Sequence, residues 1–242
     1  MSKFVLVHGA WHGGWAWEKV APILEEAGHE TDAFDLPGYG EDPTPAGQVT
    51  MQSYVERVIE ALDASEEPVV LVGHSMAGVI ISQAAEARPE KVAKLVYLSA
   101  FLLEDGGTLI GTTQTDTGSK ILPNLEMNEE EGYASIKQGA LKEVLYNDCT
   151  DSEVAQVEGR LTPQTLAPFA TPISVTEGNF GRVPRAYIES TNDHAASLDL
   201  QRKMQSDFPC DPVVSMDTSH CSYFITHHEE LAGNLDSIAK SA

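Results

Sequence analysis

The stretch "VVLVG" at 69–73 is apolar without a break, and it runs from Pro68 into "HS". A strand with no polar face must be covered on both sides. That places it inside a parallel sheet with helices packed on each face. "KFVLVHG" (3–9) and "KLVYLSAF" (94–101) read the same way. Helical stretches separate these runs. One is expected near 15–28, "WAWEKVAPILEEAG", closing on Gly28 as a C-terminal cap. "TMQSYVERVIEALDAS" (50–65) sets Val55, Val58, Ile59 and Leu62 on one face. "MAGVIISQAAEARPEKV" carries a helix to about Arg88. A short strand opens "ETDAFDLPGYG" (30–40) before a Pro/Gly turn. Strands alternating with helices predict an α/β fold, with a mostly parallel sheet and helices on both faces.

The alternation stops at about residue 103 and returns near 183. "PRAYIEST" (184–191) and "DPVVSM" (211–216) then read as strands, and 195–206 and 228–240 as helices. The interval holds Gly/Thr-rich and Pro-rich stretches and one expected helix, "YASIKQGALKEVLY" (133–146). A segment that long should fold as its own unit. The expected organisation is a core of 1–102 and 183–242 with a cap, 103–182, inserted over the carboxyl ends of the strands. That is where sheets of this kind bind ligands.

Composition narrows the partners. A formal net charge of -22 over 242 residues argues against nucleic acid and against anionic membrane surfaces. No stretch is long and apolar enough for a membrane span, and the opening "MSKFVLVHG" does not resemble a signal peptide. The three cysteines, Cys149, Cys210 and Cys221, form neither a C-x-x-C pair nor a zinc pattern. The expectation is a reduced, cytoplasmic protein with no metal and no cofactor.

Ser75 ends the most apolar strand and begins a helix. This is the setting of a strained strand–turn–helix elbow that presents a nucleophile. The usual pattern is G-x-S-x-G; here Ala77 stands at the last position and Gly78 follows it. The elbow demands small residues because strand and helix approach closely. Gly73, Ala77 and Gly78 are small. The plainer alternative is that Ser75 only caps the helix. A nucleophilic serine needs a general base, and the base an orienting acid. His220 lies in a polar loop, "MDTSHCSYF", before the last helix. His227 and His228 fall among acids at a helix start, and His194 adjoins the candidate acid. Asp193 follows the strand "AYIEST"; Asp217 is the runner-up, three residues from His220. "HGAWHGGW" (8–15) follows the first strand. Its backbone can approach a substrate. An oxyanion would need one N–H from Gly9 or Ala10 and one from Met76. His8 and His12 lack a third ligand nearby, so the loop does not read as a metal site.

Taken together, "FVLVHGAWHGGWAW", "DLPGYG", "VVLVGHSMAG" and the late Asp and His resemble the α/β-hydrolase superfamily. More narrowly they are similar to the plant methyl esterases, hydroxynitrile lyases and related bacterial esterases. "LYNDC" and "PQTLAPFATPIS" in the expected cap share the likeness. The resemblance implies Ser75 as nucleophile, Asp193 as acid, His220 as base, and the N–H groups of Ala10 and Met76 as the oxyanion hole. Lyases of the rubber-tree kind carry a threonine after the first loop histidine and a lysine after the catalytic histidine. Gly9 and Cys221 stand there, which points toward ester hydrolysis. The expected function is a serine carboxylesterase acting on small, possibly methyl or aryl, esters. The alternatives are a cyanohydrin lyase and a non-catalytic small-molecule receptor. The expected partner is a small ester, and a homodimer is consistent with the likeness. Gly9, Trp11, His74 and Cys221 are candidate pocket residues. Tyr133, Leu125 and Phe169 are candidates for the pocket or the core.

Overall fold

The computed structural model describes residues 1–40 and 42–241. The apolar runs are strands. The first half of the chain lays down β1 (Lys3–Val7), α1 (Ala21–Glu26), β2 (Glu30–Ala33), α2 (Met51–Asp63), β3 (Val69–His74), α3 (Ala77–Ala87) and β4 (Val92–Leu98). Then come α4 (Leu109–Thr115), β5 (Leu125–Asn128), β6 (Tyr133–Ile136), α5 (Leu141–Leu145), α6 (Asp151–Glu158), β7 (Gln164–Thr165) and α7 (Ala167–Ala170). The last quarter adds β8 (Arg185–Ser190), α8 (Leu198–Asp207), β9 (Val213–Met216) and α9 (His228–Lys240).

Six strands pair in the order β2-β1-β3-β4-β8-β9, and every pairing between them is parallel. β3 is buried at every position, as its composition requires. Helix α1 packs on α9 and α2 on α3. The chain leaves β1 to one side for β2 and to the other for β3. The carboxyl ends of β1 and β3 therefore border the crevice where the winding reverses, the usual ligand site of such a sheet. Gly73 lies beside Val7 in register, so the loop after β1 and the turn after β3 meet there.

The segment between β4 and β8 builds a second, antiparallel sheet, β5-β6-β7. Two expectations change here and near the N-terminus. The helix expected over 133–146 is instead strand β6, a turn with Gly139 at φ +82°, and the five residues of α5. Ala134 is buried between paired strands, and a positive φ at Gly139 ends any helix. The helix expected over 15–28 is a single 3₁₀ turn, Gly14–Trp17, followed by α1. Pro22 sits in the first turn of α1, the position in a helix that tolerates it. Among the described residues no helix is long and apolar enough to cross a membrane.

Candidate active site

Ser75 leaves β3 at φ +54°, a strained conformation for a residue with a side chain. The elbow is held by hydrogen bonds from Ser75 N–H to the Leu98 carbonyl (3.1 Å) and from Phe101 N–H to the Ser75 carbonyl (3.1 Å). Its Oγ lies 2.8 Å from His220 Nε2, and His220 Nδ1 lies 2.6 Å from Asp193 Oδ2. The structure thus brings the three sequence candidates together in the order a triad needs. Asp193 is oriented as well as paired. Its Oδ1 accepts from the N–H groups of Ala195 (2.7 Å) and Ala196 (2.8 Å), and its Oδ2 from Gln201 Nε2 (3.3 Å). Asp217 does not approach His220. It accepts from Thr191 Oγ1 (3.0 Å) and Asn192 Nδ2 (2.6 Å), and so steadies the loop that carries Asp193. His194 turns away to the Glu143 carbonyl (2.8 Å), and His227 and His228 are half-exposed.

Neither the Ala10 nor the Met76 N–H is engaged by a backbone acceptor among the described residues. Both residues line the cavity above Ser75. Met76 also sits at the N-terminus of α3, where the helix dipole favours negative charge. The loop carrying Ala10 is braced by its histidines. His8 Nδ1 is 2.9 Å from the Gly9 carbonyl, and His8 Nε2 accepts from Leu36 N–H at 3.0 Å. Burial pushes His8 down to about 4, so it is neutral at pH 7 and donates through Nδ1. The peptide whose oxygen it holds is the one that presents the Ala10 N–H.

The cavity is small, about 30 Å³. Apart from Ser75 and Thr113, its walls are apolar, with Trp11, Phe101, Leu109, Ile121, Leu125 and Phe169 prominent. Thr113 gives its hydroxyl proton to the Leu109 carbonyl within α4 (2.9 Å). Of the expected pocket residues, Trp11 lines the cavity, as do Leu125 and Phe169; Tyr133 does not. Gly9, His74 and Cys221 are corrections, since all three lie behind the wall. A Cβ on Gly9 would point not into the cavity but at His74 Nδ1 (2.7 Å) and Ser75 Cβ (2.9 Å). His74 lies under the triad and donates Nε2–H to the His220 carbonyl (3.1 Å). Burial and the neighbouring His220 hold its pKa far below the usual histidine value. Cys221 Sγ packs 4.0 Å from that same nitrogen, and the thiol is wholly buried.

Sequence reasoning missed the supports that come from the segment between β4 and β8. The Leu145 carbonyl accepts from Cys221 N–H (3.0 Å) and Ser219 Oγ (3.2 Å). Asn147 Nδ2 donates to the Asn192 carbonyl (3.1 Å) beside Asp193. Asp148 Oδ2 accepts from Ser219 N–H (2.9 Å) and Ser222 Oγ (2.8 Å), on either side of His220. Burial alone would raise the Asp148 carboxyl; the bonds from Ser219 and Ser222 outweigh it and hold the carboxyl below the usual range. These residues spell "LYND", visible in the sequence only as part of a likeness.

One group of metal-competent side chains occurs among the described residues, His74, His220 and Cys221, with ligand atoms within 4.8 Å of one another. Both ring nitrogens of His220 are already committed to Ser75 and Asp193. An ion there would dismantle the triad.

The sequence profile of the alpha/beta hydrolase family matches residues 4–234. The chain belongs to that family. This α/β hydrolase is 33% identical to methylesterase 7 of Arabidopsis thaliana over 251 aligned positions, covering 98% of this chain and 96% of the relative. It is equally similar, 33% over 250 positions with the same coverage, to an α-hydroxynitrile lyase of the same plant. Among solved structures, a pyrethroid hydrolase from Sphingobium faniae superposes with a TM-score of 0.83 at 31% identity, covering 99% of this chain and 97% of that one.

Proposed function

We propose that the chain is a serine carboxylesterase for small, uncharged esters with an apolar acyl or alcohol group, and that residues 103–182 act as its cap. The observation that carries this reading is the line Asp193–His220–Ser75 ending at the floor of an apolar cavity. His220 takes the Ser75 proton as Oγ attacks the ester carbonyl. Asp193 holds the imidazole by its Nδ1–H and stabilises the cation that forms. The N–H groups of Ala10 and Met76 receive the oxyanion. His220 then protonates the departing alcohol, and water repeats the cycle on the acyl-enzyme. Cavity walls without a charged group disfavour a substrate carrying its own charge next to the reacting carbon. The names of the methylesterase and pyrethroid hydrolase relatives support the same reaction class.

The likeness to a hydroxynitrile lyase keeps cyanohydrin cleavage as the second reading. Two features count against the rubber-tree manner of that chemistry. His74 and Ser75 occupy the space a threonine side chain at position 9 would need. Position 221 is a buried thiol, with no cation to meet departing cyanide. A cytoplasmic setting belongs to the same proposal, supported by three cysteines that are all free thiols.

The test is turnover of a short-chain p-nitrophenyl ester by wild type and Ser75→Ala, with cyanide release from mandelonitrile measured alongside. Wild type should turn over the ester. Ser75→Ala should lose at least about a thousandfold in kcat with an unchanged thermal midpoint. Cyanide release without ester turnover would replace this reading with the lyase. Neither activity, with tight ligand binding, would replace it with a receptor.

A further inference from the structure

Tyr146 takes no part in the proton transfers, yet it reaches the loop that must hold the oxyanion. Its hydroxyl lies 2.5 Å from His12 Nε2, and His12 Nδ1 lies 2.8 Å from the Ala10 carbonyl. A carbonyl oxygen only accepts, so Nδ1 carries the proton. Nε2 then offers a lone pair, and the Tyr146 O–H donates to it. Both side chains are buried. Desolvation pushes His12 down to about 3, which keeps the ring neutral and this direction of donation fixed.

We propose that Tyr146 and His12 are a positioning pair for the oxyanion hole. The tyrosine sets the tautomer of the imidazole, and the imidazole anchors the peptide that follows Ala10. The proposal rests on the esterase reading above.

Ala10 sits between two peptide planes. His8 holds the first by the Gly9 oxygen, and His12 holds the second by the Ala10 oxygen. The second plane leads into Trp11 at φ +63°, a left-handed conformation that costs energy for a bulky residue. A strained turn stays in place only when both of its ends are tied. Thr162 N–H ties the far end at the Trp11 carbonyl (2.9 Å), and His12 ties the near end. Without the tyrosine hydroxyl, His12 Nε2 would be a buried acceptor with no donor. The ring would then shift its proton to Nε2 or rotate, and either movement releases the Ala10 carbonyl.

Tyr146→Phe removes the hydroxyl and keeps the packing. The readouts are kinetics on a short-chain p-nitrophenyl ester and inhibition by an aliphatic trifluoromethyl ketone. That ketone's adduct with Ser75 carries an anionic oxygen in the oxyanion hole. We expect kcat to fall about 10- to 100-fold, less than or equal to the loss of a whole oxyanion donor. KM should stay within about twofold, and the ketone should weaken by the same factor as kcat/KM. His12→Asn, whose amide N–H can replace Nδ1–H, should keep more activity than His12→Leu. Tyr97→Phe is the control for stability. Tyr97 is a buried tyrosine whose hydroxyl pairs with Ser82 Oγ (2.7 Å) in the middle of α3, and it should lose stability without that kcat loss. Unchanged kcat in Tyr146→Phe, a change confined to KM, or losses in all variants that simply track their thermal midpoints would overturn the pair. A wild type with no ester turnover would overturn the esterase reading and this inference with it. Wild-type turnover that Ser75→Ala abolishes and Tyr146→Phe leaves intact would overturn this inference alone.

Discussion

Position 77 looks like the defect in the elbow, but the close contacts fall elsewhere. A Cβ on Gly73 would meet the backbone carbonyl of Ala77 at 2.9 Å, so the strand needs its glycine. A Cβ on Gly78 would lie 2.3 Å from the Phe101 carbonyl oxygen and 2.8 Å from its nitrogen. That backbone cannot retreat freely, because Phe101 N–H is bonded to the carbonyl of Ser75 itself. Helix α3 therefore presses on the chain after β4 at residue 78, while the methyl of Ala77 is simply buried. Ala77→Gly should leave kcat within about twofold and cost roughly 0.5–1 kcal/mol as a helix glycine. Gly78→Ala should cost about 2 kcal/mol or more by overpacking and depress kcat by displacing Ser75. Chemical denaturation with parallel kinetics reads both. A harmless Gly78→Ala beside a damaging Ala77→Gly would reverse the assignment.

At the scale of elements, the strands were legible because β1, β3 and β4 are covered on both faces and show it in composition. Asp193 and His220 were legible because their loops follow strands at one edge of the sheet. The segment between β4 and β8 was not. β6 carries "YASI", whose residues also suit a helix, and only pairing with β5 and β7 decides for a strand. The wall of the cavity comes from α4 and the turns near Ile121, where no periodicity marks an inward face. The supports of the triad were hidden for a different reason. Asp148 acts on residues 71 and 74 positions away, and nothing local in the sequence announces such a contact. Asp148→Ala should strand the Ser219 N–H and the Ser222 hydroxyl. It should cost about 1.5–3 kcal/mol, the range for hydrogen bonds to a charged group, and lower kcat about tenfold as the His220 loop loosens. Asp148→Asn keeps an acceptor oxygen and should do less of both. Urea midpoints and kcat compared across the two variants test this; equal effects from both would place the weight on charge instead of on the acceptor.

For the whole molecule, the buried histidines set how stability responds to acid. His8 and His12 are held at about 4 and about 3, and burial pushes His74 down as well. In the unfolded chain each would titrate near 6.5. Between those limits the unfolded state binds protons that the folded state refuses, so stability falls as pH falls. The loss begins near pH 6.5 and continues toward the folded values. By pH 5 His8 and His12 each remove on the order of 2 kcal/mol, a large share of the 5–15 kcal/mol that holds a typical domain together. The carboxylates held below their usual range, Glu86 and Glu189 among them, act in the same direction but only at lower pH. The opposing influence is the net charge of -22, whose self-repulsion eases as carboxylates protonate. Carboxylates titrate mostly below pH 5, so the window from 7 to 5 isolates the histidines. Urea midpoints measured at pH 7, 6 and 5 should drop steadily, and His12→Asn should flatten the slope by about one proton. A midpoint that holds or rises across this window would mean that His8 and His12 accept protons inside the fold, and the neutral bracing of the oxyanion loop would fail with it.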